Sequence, residues 1–219
     1  MYNNPNEYRE SKCNKKGIVL QSDKILLVEG ADEWYFFYNL IEEKLRISDI
    51  QICDMKGKSN LSELLTLVKK SDFYHLKRRQ LKIGLVLDAD RSFSKTIEDI
   101  TKHINTIFEL SIESITINFS NTLPAISAYI LPNNCDNGML EDICLASVSG
   151  SHQMQCIEGY FECLKNMDII PSEISKAKTM CYLASKDPFK TSIGFAATEG
   201  HWDYEQPAFK DLISYIKSF

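Results

Sequence analysis

The stretch KIGLVLDADR, Lys82–Arg91, decides the fold and contains the first candidate site residues. Residues 83–87 form a short, partly β-branched apolar run, which is typical of a strand buried on both faces of a sheet. The two aspartates that follow, Asp88 and Asp90, point the same way if the chain stays extended. Beyond the carboxyl ends of parallel strands is where ligands bind, and a hard cation such as Mg²⁺ relieves repulsion between close carboxylates. The triplet therefore predicts a metal site, although a polar turn explains the same residues.

A second stretch, KILLVEGAD at Lys24–Asp32, repeats this design. Residues 25–28 form another apolar run that ends in an acid, Glu29, followed by glycine. Apolar residues at spacings of three and four then predict a helix over residues 31–45. If the two predicted strands are parallel, Glu29 lies near the aspartate pair, which adds a third carboxylate to the predicted metal site.

A fourth acid, Glu141, follows a further predicted strand, residues 126–131, and lies in a helix predicted over Gly138–Ser147. If that strand is parallel to the others, Glu141 lies at the same edge of the sheet. It can then complete a site for a second metal ion, because three carboxylates rarely satisfy two hard ions. Asp142 should then point elsewhere on the helix. The alternative is that Glu141 only stabilises the helix dipole.

Two lysines, Lys56 and Lys58, lie in MKGKSN, between a strand predicted over residues 50–54 and the next helix. Backbone N–H groups at a helix start, flanked by lysines, can hold a phosphate. A turn capped by Ser59 or Asn60 explains the stretch equally well. Arg91, directly after the aspartate triplet, completes the set of predicted phosphate- or nucleic-acid-binding residues.

The composition is that of an ordinary globular protein: 219 residues, 44% hydrophobic, 25% charged, with a net charge of −5. The negative charge argues against strong non-specific binding to nucleic acid. No run of 18 apolar residues predicts a membrane span, and the polar N-terminus does not look like a secretory signal. The seven cysteines form no C-x-x-C pair, which predicts reduced thiols and a cytoplasmic protein.

Three segments are expected along the chain. Residues 1–16 are predicted to be a flexible arm, residues 17–147 an α/β core, and residues 148–219 a helical C-terminal extension packed on that core. A weak apolar alternation makes residues 112–119 a candidate for an additional strand. Residues 187–206, with their prolines and glycines, are expected to be irregular.

The order V-E-G-x-D and then D-x-D resembles the Toprim domain of bacterial primases, topoisomerases and the overcoming-lysogenization-defect nucleases. The junction around Lys56–Leu61, the NGMLED stretch and KAKTMCYLAS are also similar to a small family of stand-alone bacterial Toprim-related proteins. The resemblance covers the chain from about Lys24 onward. It implies a Toprim-like (Rossmann-like) α/β fold with a mostly parallel sheet flanked by helices.

The same resemblance implies metal-dependent chemistry on phosphodiesters. In the Toprim class the first motif glutamate, here Glu29, acts as general acid or base or joins in metal binding, and the D-x-D pair, here Asp88 and Asp90, holds Mg²⁺ or Mn²⁺. Strand passage is disfavoured because neither Tyr129 nor Tyr160 can be assigned as a nucleophile. A nuclease or phosphotransferase that acts on nucleic acid or a nucleotide is the leading interpretation.

The alternative is a catalytically weak or inactive Toprim-like module. Such a module would bind a nucleotide or a protein within a larger bacterial defence or repair assembly, and an ATPase is a candidate partner. The sequence does not determine the oligomeric state.

Overall fold

The computed structural model describes residues 19–219 together with the backbone of residues 13–14 and 17–18. Most of the predicted N-terminal arm, residues 1–16, therefore lies outside the described residues. Within the described part the strands are β1 Cys13–Asn14, β2 Gly17–Ile18, β3 Lys24–Val28, β4 Ile50–Asp54, β5 Lys82–Asp88 and β6 Ala125–Leu131.

The α-helices alternate with the core strands and then follow one another to the C-terminus. They are α1 Ala31–Tyr38, α2 Leu61–Lys70, α3 Asp72–Lys77, α4 Phe93–Phe108, α5 Leu140–Val148, α6 His152–Lys165, α7 Ile174–Ala184, α8 Ile193–Thr198 and α9 Lys210–Ile216. A π-helical segment, Asn39–Lys44, extends α1, and 3₁₀ turns precede α2 and α9. Among the described residues, none of these helices has the length and apolar character needed to cross a bilayer.

The four core strands form one all-parallel sheet in the order β4-β3-β5-β6. The chain leaves β3 toward β4 on one side and returns to β5 on the other, so the strand order reverses between β3 and β5. Ligands of open α/β sheets bind at such a switch point, beyond the carboxyl ends of the strands. The predicted α/β fold, with a parallel sheet flanked by helices and a helical C-terminal segment, is confirmed.

Each face of the sheet carries its own layer of helices, because alternate strand residues point to opposite faces. On one face, residues such as Ile25, Leu85 and Ile130 pack with α2, α3 and α4. On the other face, residues such as Leu26 and Tyr129 pack with α1 and with α5 to α9. The C-terminal helices thus bury their apolar side chains in the same core as the sheet. The boundary near residue 147 stays a prediction.

The strand that was considered for residues 112–119 is absent from the described chain, so that expectation is wrong. Side chains of α4 satisfy part of the backbone of this segment, and two main-chain bonds link it to β6, from the Ala128 N–H to the Thr116 oxygen at 2.8 Å and from the Ser120 N–H to the Ile126 oxygen at 2.9 Å, without forming a strand. Asn105 bonds both the N–H and the carbonyl oxygen of Ile112, at 2.9 and 2.7 Å, and the Thr101 hydroxyl accepts from the Ile115 N–H at 3.0 Å. A weak period-2 pattern cannot reveal such side-chain bonds.

Residues 187–206 were expected to be irregular but contain α8, a helix stabilised from another part of the chain. The Asp32 carboxylate accepts hydrogen bonds from the N–H groups of Ile193 and Gly194, at 3.0 and 2.6 Å. A Cβ atom at position 194 would overlap the main-chain oxygen of Asp32 and the Cβ of Tyr35, so glycine allows α8 to lie directly against α1. Asp32 of the V-E-G-x-D motif is therefore a structural residue.

Replacing Asp32 with alanine is expected to lower the free energy of unfolding by about 1–3 kcal/mol, because two buried N–H groups lose a charged acceptor. Urea denaturation of the variant beside the wild type measures this change. Glu63→Ala, at an exposed position of α2, provides the control. Equal stability of the Asp32 variant and the control would show that this cap does not hold α8.

Candidate active site

The predicted acids meet at the carboxyl edge of the sheet. The pairing of Val28 with Val86 places Glu29 level with the residue before Asp88, on the neighbouring strand. Asp90 follows two residues later, and the charges of Glu29, Asp88 and Asp90 act on one another. Glu141, in the first turn of α5, acts on Asp88 in the same way. The four predicted site acids therefore form one cluster.

Main-chain hydrogen bonds fix the loop that follows β5 against the loop that precedes α5. Asp90 and Gly138 exchange two N–H···O bonds, of 2.8 and 2.9 Å, and Gly138 has a φ of +139°, which favours glycine. The N–H of Leu140 then donates to Asp88 Oδ1 at 3.0 Å. Because residues 138–139 are committed to these extended contacts, α5 begins at Leu140 and not at Gly138.

Asp142 is occupied with capping its own helix. One of its oxygens accepts from the N–H of Met139 at 2.8 Å, and the other accepts from the Ser175 hydroxyl at 2.5 Å. The charge of Glu141 instead raises the pKa values of Asp88 and Glu33. Of these two adjacent carboxylates, only Glu141 is left for the acidic cluster.

Burial and mutual repulsion make every buried carboxylate of the cluster a weaker acid. Burial first, and then the charges of Glu29, Glu33, Glu141 and Asp90, raises the pKa of Asp88 to about 8. Burial likewise raises the pKa of Glu33 to about 7. The pKa values of Glu29 and Glu141 are also raised, chiefly by burial. Carboxylates this hard to ionise favour a neighbouring positive charge.

The donor set fits a hard divalent cation. Carboxylate oxygens are the ligands that Mg²⁺ and Mn²⁺ prefer, and Glu29 Oε2 is buried without a hydrogen-bond partner in the described chain. Within residues 19–219, however, no three acidic, histidine or cysteine side chains already converge as a complete ligand set. Binding a cation would thus require side-chain movements at this edge.

The three predicted phosphate-binding residues differ from one another in their hydrogen bonds and exposure. Lys58 donates to the main-chain oxygen of Asp88 at 2.9 Å and to Asp90 Oδ2 at 3.0 Å. Lys56 and Arg91 are exposed. Lys58 and Arg91 line a groove of about 510 Å³, whose other charged wall residues are Asp90, Lys95, Asp99 and Glu173. Lys56 is not among the residues that line the groove.

Sequence reasoning missed two charged residues at this edge. Glu33 lies four residues after Glu29, in the first turn of α1, and the charge of each raises the pKa of Asp88. The sequence contained a signal for Glu33. The helix predicted from residue 31 places Glu33 in its first turn, next to the end of the strand before it. Lys176 of α7 lowers the pKa of both Glu29 and Glu141 by its charge, although burial outweighs it. No spacing in the sequence indicated that α7 reaches this edge.

Comparison with known proteins identifies a family and finds similarity to solved structures. The family model described as "Protein of unknown function (DUF3226)" matches residues 23–219. A search of curated proteins found no match. Among solved structures, the chain is similar to the C-terminal region of the Xanthomonas campestris pv. campestris OLD protein, phased with mercury. The two are 12% identical, the TM-score is 0.47, and the match covers 91% of this chain and 96% of that one. For the same region phased with iodine, the identity is 11%, the TM-score 0.38 and the coverage 92% and 100%.

Proposed function

This chain belongs to the DUF3226 family, and we propose that it is a Toprim-type enzyme that carries out Mg²⁺- or Mn²⁺-dependent phosphodiester chemistry on nucleic acid. A nuclease is the preferred form, and a nucleotidyl- or phosphotransferase uses the same site. One observation supports the proposal above all: acids at the ends of β3 and β5 and in the first turn of α5 meet at the switch point of the sheet, and a groove with basic residues in its wall opens beside them.

Asp88, Asp90 and Glu141 are the residues proposed to hold the cation. Asp88 is oriented by the Leu140 N–H on one oxygen, which leaves the other oxygen for a ligand. A bound divalent cation would neutralise charge on the phosphoryl oxygens and orient the attacking oxygen. Glu141 would provide the extra carboxylate that a second ion needs.

Glu29 is proposed to move the proton. Its carboxylate lies beside the aspartate pair, has an unpartnered buried oxygen, and has a pKa raised mainly by burial. A raised pKa makes a carboxylate a better proton acceptor near neutral pH. The protonated carboxyl can later return that proton to the leaving oxygen.

The groove is proposed to position the nucleic acid. Arg91 and Lys95 are exposed on its wall, where they can contact phosphates on either side of the reacting one. Since three carboxylates also line the groove, the attraction depends on local geometry and not on net charge. With two such phosphate contacts, substrate binding should weaken only moderately as salt is added, with a log–log slope of about −2.

A second candidate is a Toprim-like module that binds a nucleotide or a protein without turnover. It is favoured by the absence of a ready ligand set in residues 19–219 and by the ion pair between Lys58 and Asp90. A pure binding module needs no divalent cation for its contacts, and this separates it from the enzyme.

The Asp88→Asn, Asp90→Asn double variant is expected to lose Mn²⁺ affinity by at least tenfold and to lose all metal-dependent cleavage, because asparagine brings no charge to the cation. Calorimetric titration measures the affinity. Incubation with single-stranded DNA, duplex DNA and RNA, with Mg²⁺ or with EDTA, measures cleavage. Glu63→Gln is the matched control, since it removes an exposed carboxylate in the first turn of α2 that is not one of the clustered acids.

Two results would decide against the enzyme. Equal Mn²⁺ affinity in the double variant and in the wild type would remove the metal site. Binding of nucleic acid that persists in EDTA, with no product in any metal, would favour the binding module.

A further inference from the structure

Lys58 joins the acidic edge to the groove through three hydrogen bonds. Its ammonium donates to the main-chain oxygen of Asp88 at 2.9 Å, to Asp90 Oδ2 at 3.0 Å and to the Thr96 hydroxyl at 3.1 Å. An ammonium has three N–H donors, so all of them are used. The Lys58 side chain is 31% exposed and forms part of the groove wall, so a ligand in the groove can reach it.

The turn before Lys58 is anchored separately from its side chain. Gly57 has a φ of +112°, and its N–H donates to the main-chain oxygen of Glu29 at 2.8 Å. Asn60 also bonds the main-chain oxygens of Met55 and Lys56, at 3.1 and 2.8 Å. The backbone can therefore stay in place while the long Lys58 side chain moves from one acceptor to another.

We propose that Lys58 is a positioning residue that couples binding of a substrate phosphate to binding of the divalent cation. This inference rests on the function proposed above. With no phosphate in the groove, the Lys58 ammonium pairs with Asp90 and competes with a cation for that carboxylate. A phosphate in the groove offers the ammonium another charged acceptor, and Asp90 is then free to ligate the cation.

The coupling follows from charge. An ammonium and a divalent cation beside one carboxylate repel each other, so each lowers the affinity for the other. A phosphate that attracts Lys58 removes this repulsion and also neutralises part of the cation's charge. By linkage, a phosphate that strengthens metal binding must itself be bound more tightly when the metal is present. The enzyme would thus assemble its metal site mainly when substrate occupies the groove.

The first test uses the metal alone. Lys58→Met keeps an unbranched apolar side chain that is one atom shorter and removes the charge, and Lys56→Met removes the neighbouring exposed lysine charge as the matched control. Calorimetric titration with Mn²⁺ should give roughly tenfold tighter binding in the Lys58 variant than in the wild type, because the competing ammonium is gone. The Lys56 variant should change affinity by about twofold or less, the size expected of a screened surface charge.

The second test adds sulfate, a tetrahedral anion that stands for the phosphate group. In the wild type, sulfate should tighten Mn²⁺ binding by about threefold or more, within the usual range of coupling between sites. The Lys58→Met variant should lose this dependence, and Lys56→Met should keep it. Lys58→Gln is a second neutral variant in case Lys58→Met does not fold, and thermal unfolding in EDTA checks both.

The outcomes separate this inference from the proposed function. If the Asp88→Asn, Asp90→Asn variant binds Mn²⁺ like the wild type, the metal site itself is wrong. If that variant loses the metal while Lys58→Met binds it no more tightly than Lys56→Met, the metal site stands and the coupling by Lys58 is wrong. Tighter Mn²⁺ binding by Lys58→Met with lost sulfate dependence supports the coupling.

Discussion

Replacing Glu29 with glutamine is expected to lower the rate of metal-dependent cleavage by about 10²–10⁴-fold, the range that general acid–base catalysis contributes. Glutamine keeps the size of the side chain but cannot accept the proton of the attacking oxygen. The same change removes the charge of a carboxylate that has one buried oxygen, Oε2, without a hydrogen-bond partner in the described chain. The variant should therefore unfold at the same or a higher temperature than the wild type when no metal is present.

Turnover and metal affinity, measured on the same variant, distinguish the two roles open to Glu29. As a proton acceptor, Glu29 affects mainly the turnover number, and Mn²⁺ affinity changes by less than about tenfold because the remaining acids still ligate. If Glu29 is a metal ligand, the substitution lowers the turnover number and the Mn²⁺ affinity in proportion. Glu63→Gln should leave both unchanged. A Glu29→Gln enzyme that retains full turnover would remove Glu29 from the chemistry.

The sheet could be predicted from the sequence because its signals are local. The apolar runs that end in Glu29 and Asp88 were long enough to be assigned as buried strands, and both lie at the centre of the parallel sheet. Parallel strands bring their carboxyl ends to one edge, so the approach of these acids followed from the fold. Their roles in metal binding and catalysis stay predictions.

The partners that fix the site could not be predicted, because they come from distant parts of the chain. Asp32 caps α8 from more than 160 residues away, so its motif position alone suggested no structural role. The three acceptors of Lys58 lie 30 to 38 residues further along the chain. Periodicity reports which face of an element is buried, and it does not report which side chain reaches across to it.

In metal-free buffer, the free energy of unfolding is expected to fall by several kcal/mol as the pH rises from 5 to 9. Asp88 in the folded protein has a pKa of about 8, well above its ordinary value of 3.8, because it is buried among other acids. Up to about pH 8 the folded chain holds a proton that the unfolded chain has released, so a rise in pH favours unfolding. At about 1.4 kcal/mol per pH unit, the roughly three units between pH 5 and pH 8 correspond to on the order of 4 kcal/mol.

The loss of stability should therefore begin above pH 4 and level off above pH 8. Glu33, with a pKa of about 7, shares the same repulsion, so the two contributions do not simply add. Urea denaturation in EDTA at pH 5, 7 and 9 measures the slope. Asp88→Asn should flatten it, because asparagine still accepts the Leu140 N–H without carrying a charge. Glu63→Gln should follow the wild type.

Adding Mg²⁺ extends the same argument to the metal. A cation binds the ionised acids, so its stabilising effect should be small at pH 5 and largest at pH 9, where it restores what the repulsion removed. The Asp88→Asn protein should gain much less from Mg²⁺ at every pH. Parallel pH curves for the wild type and Asp88→Asn in EDTA would show that Asp88 ionises normally in the folded protein. The cluster would then be too well solvated to require a cation.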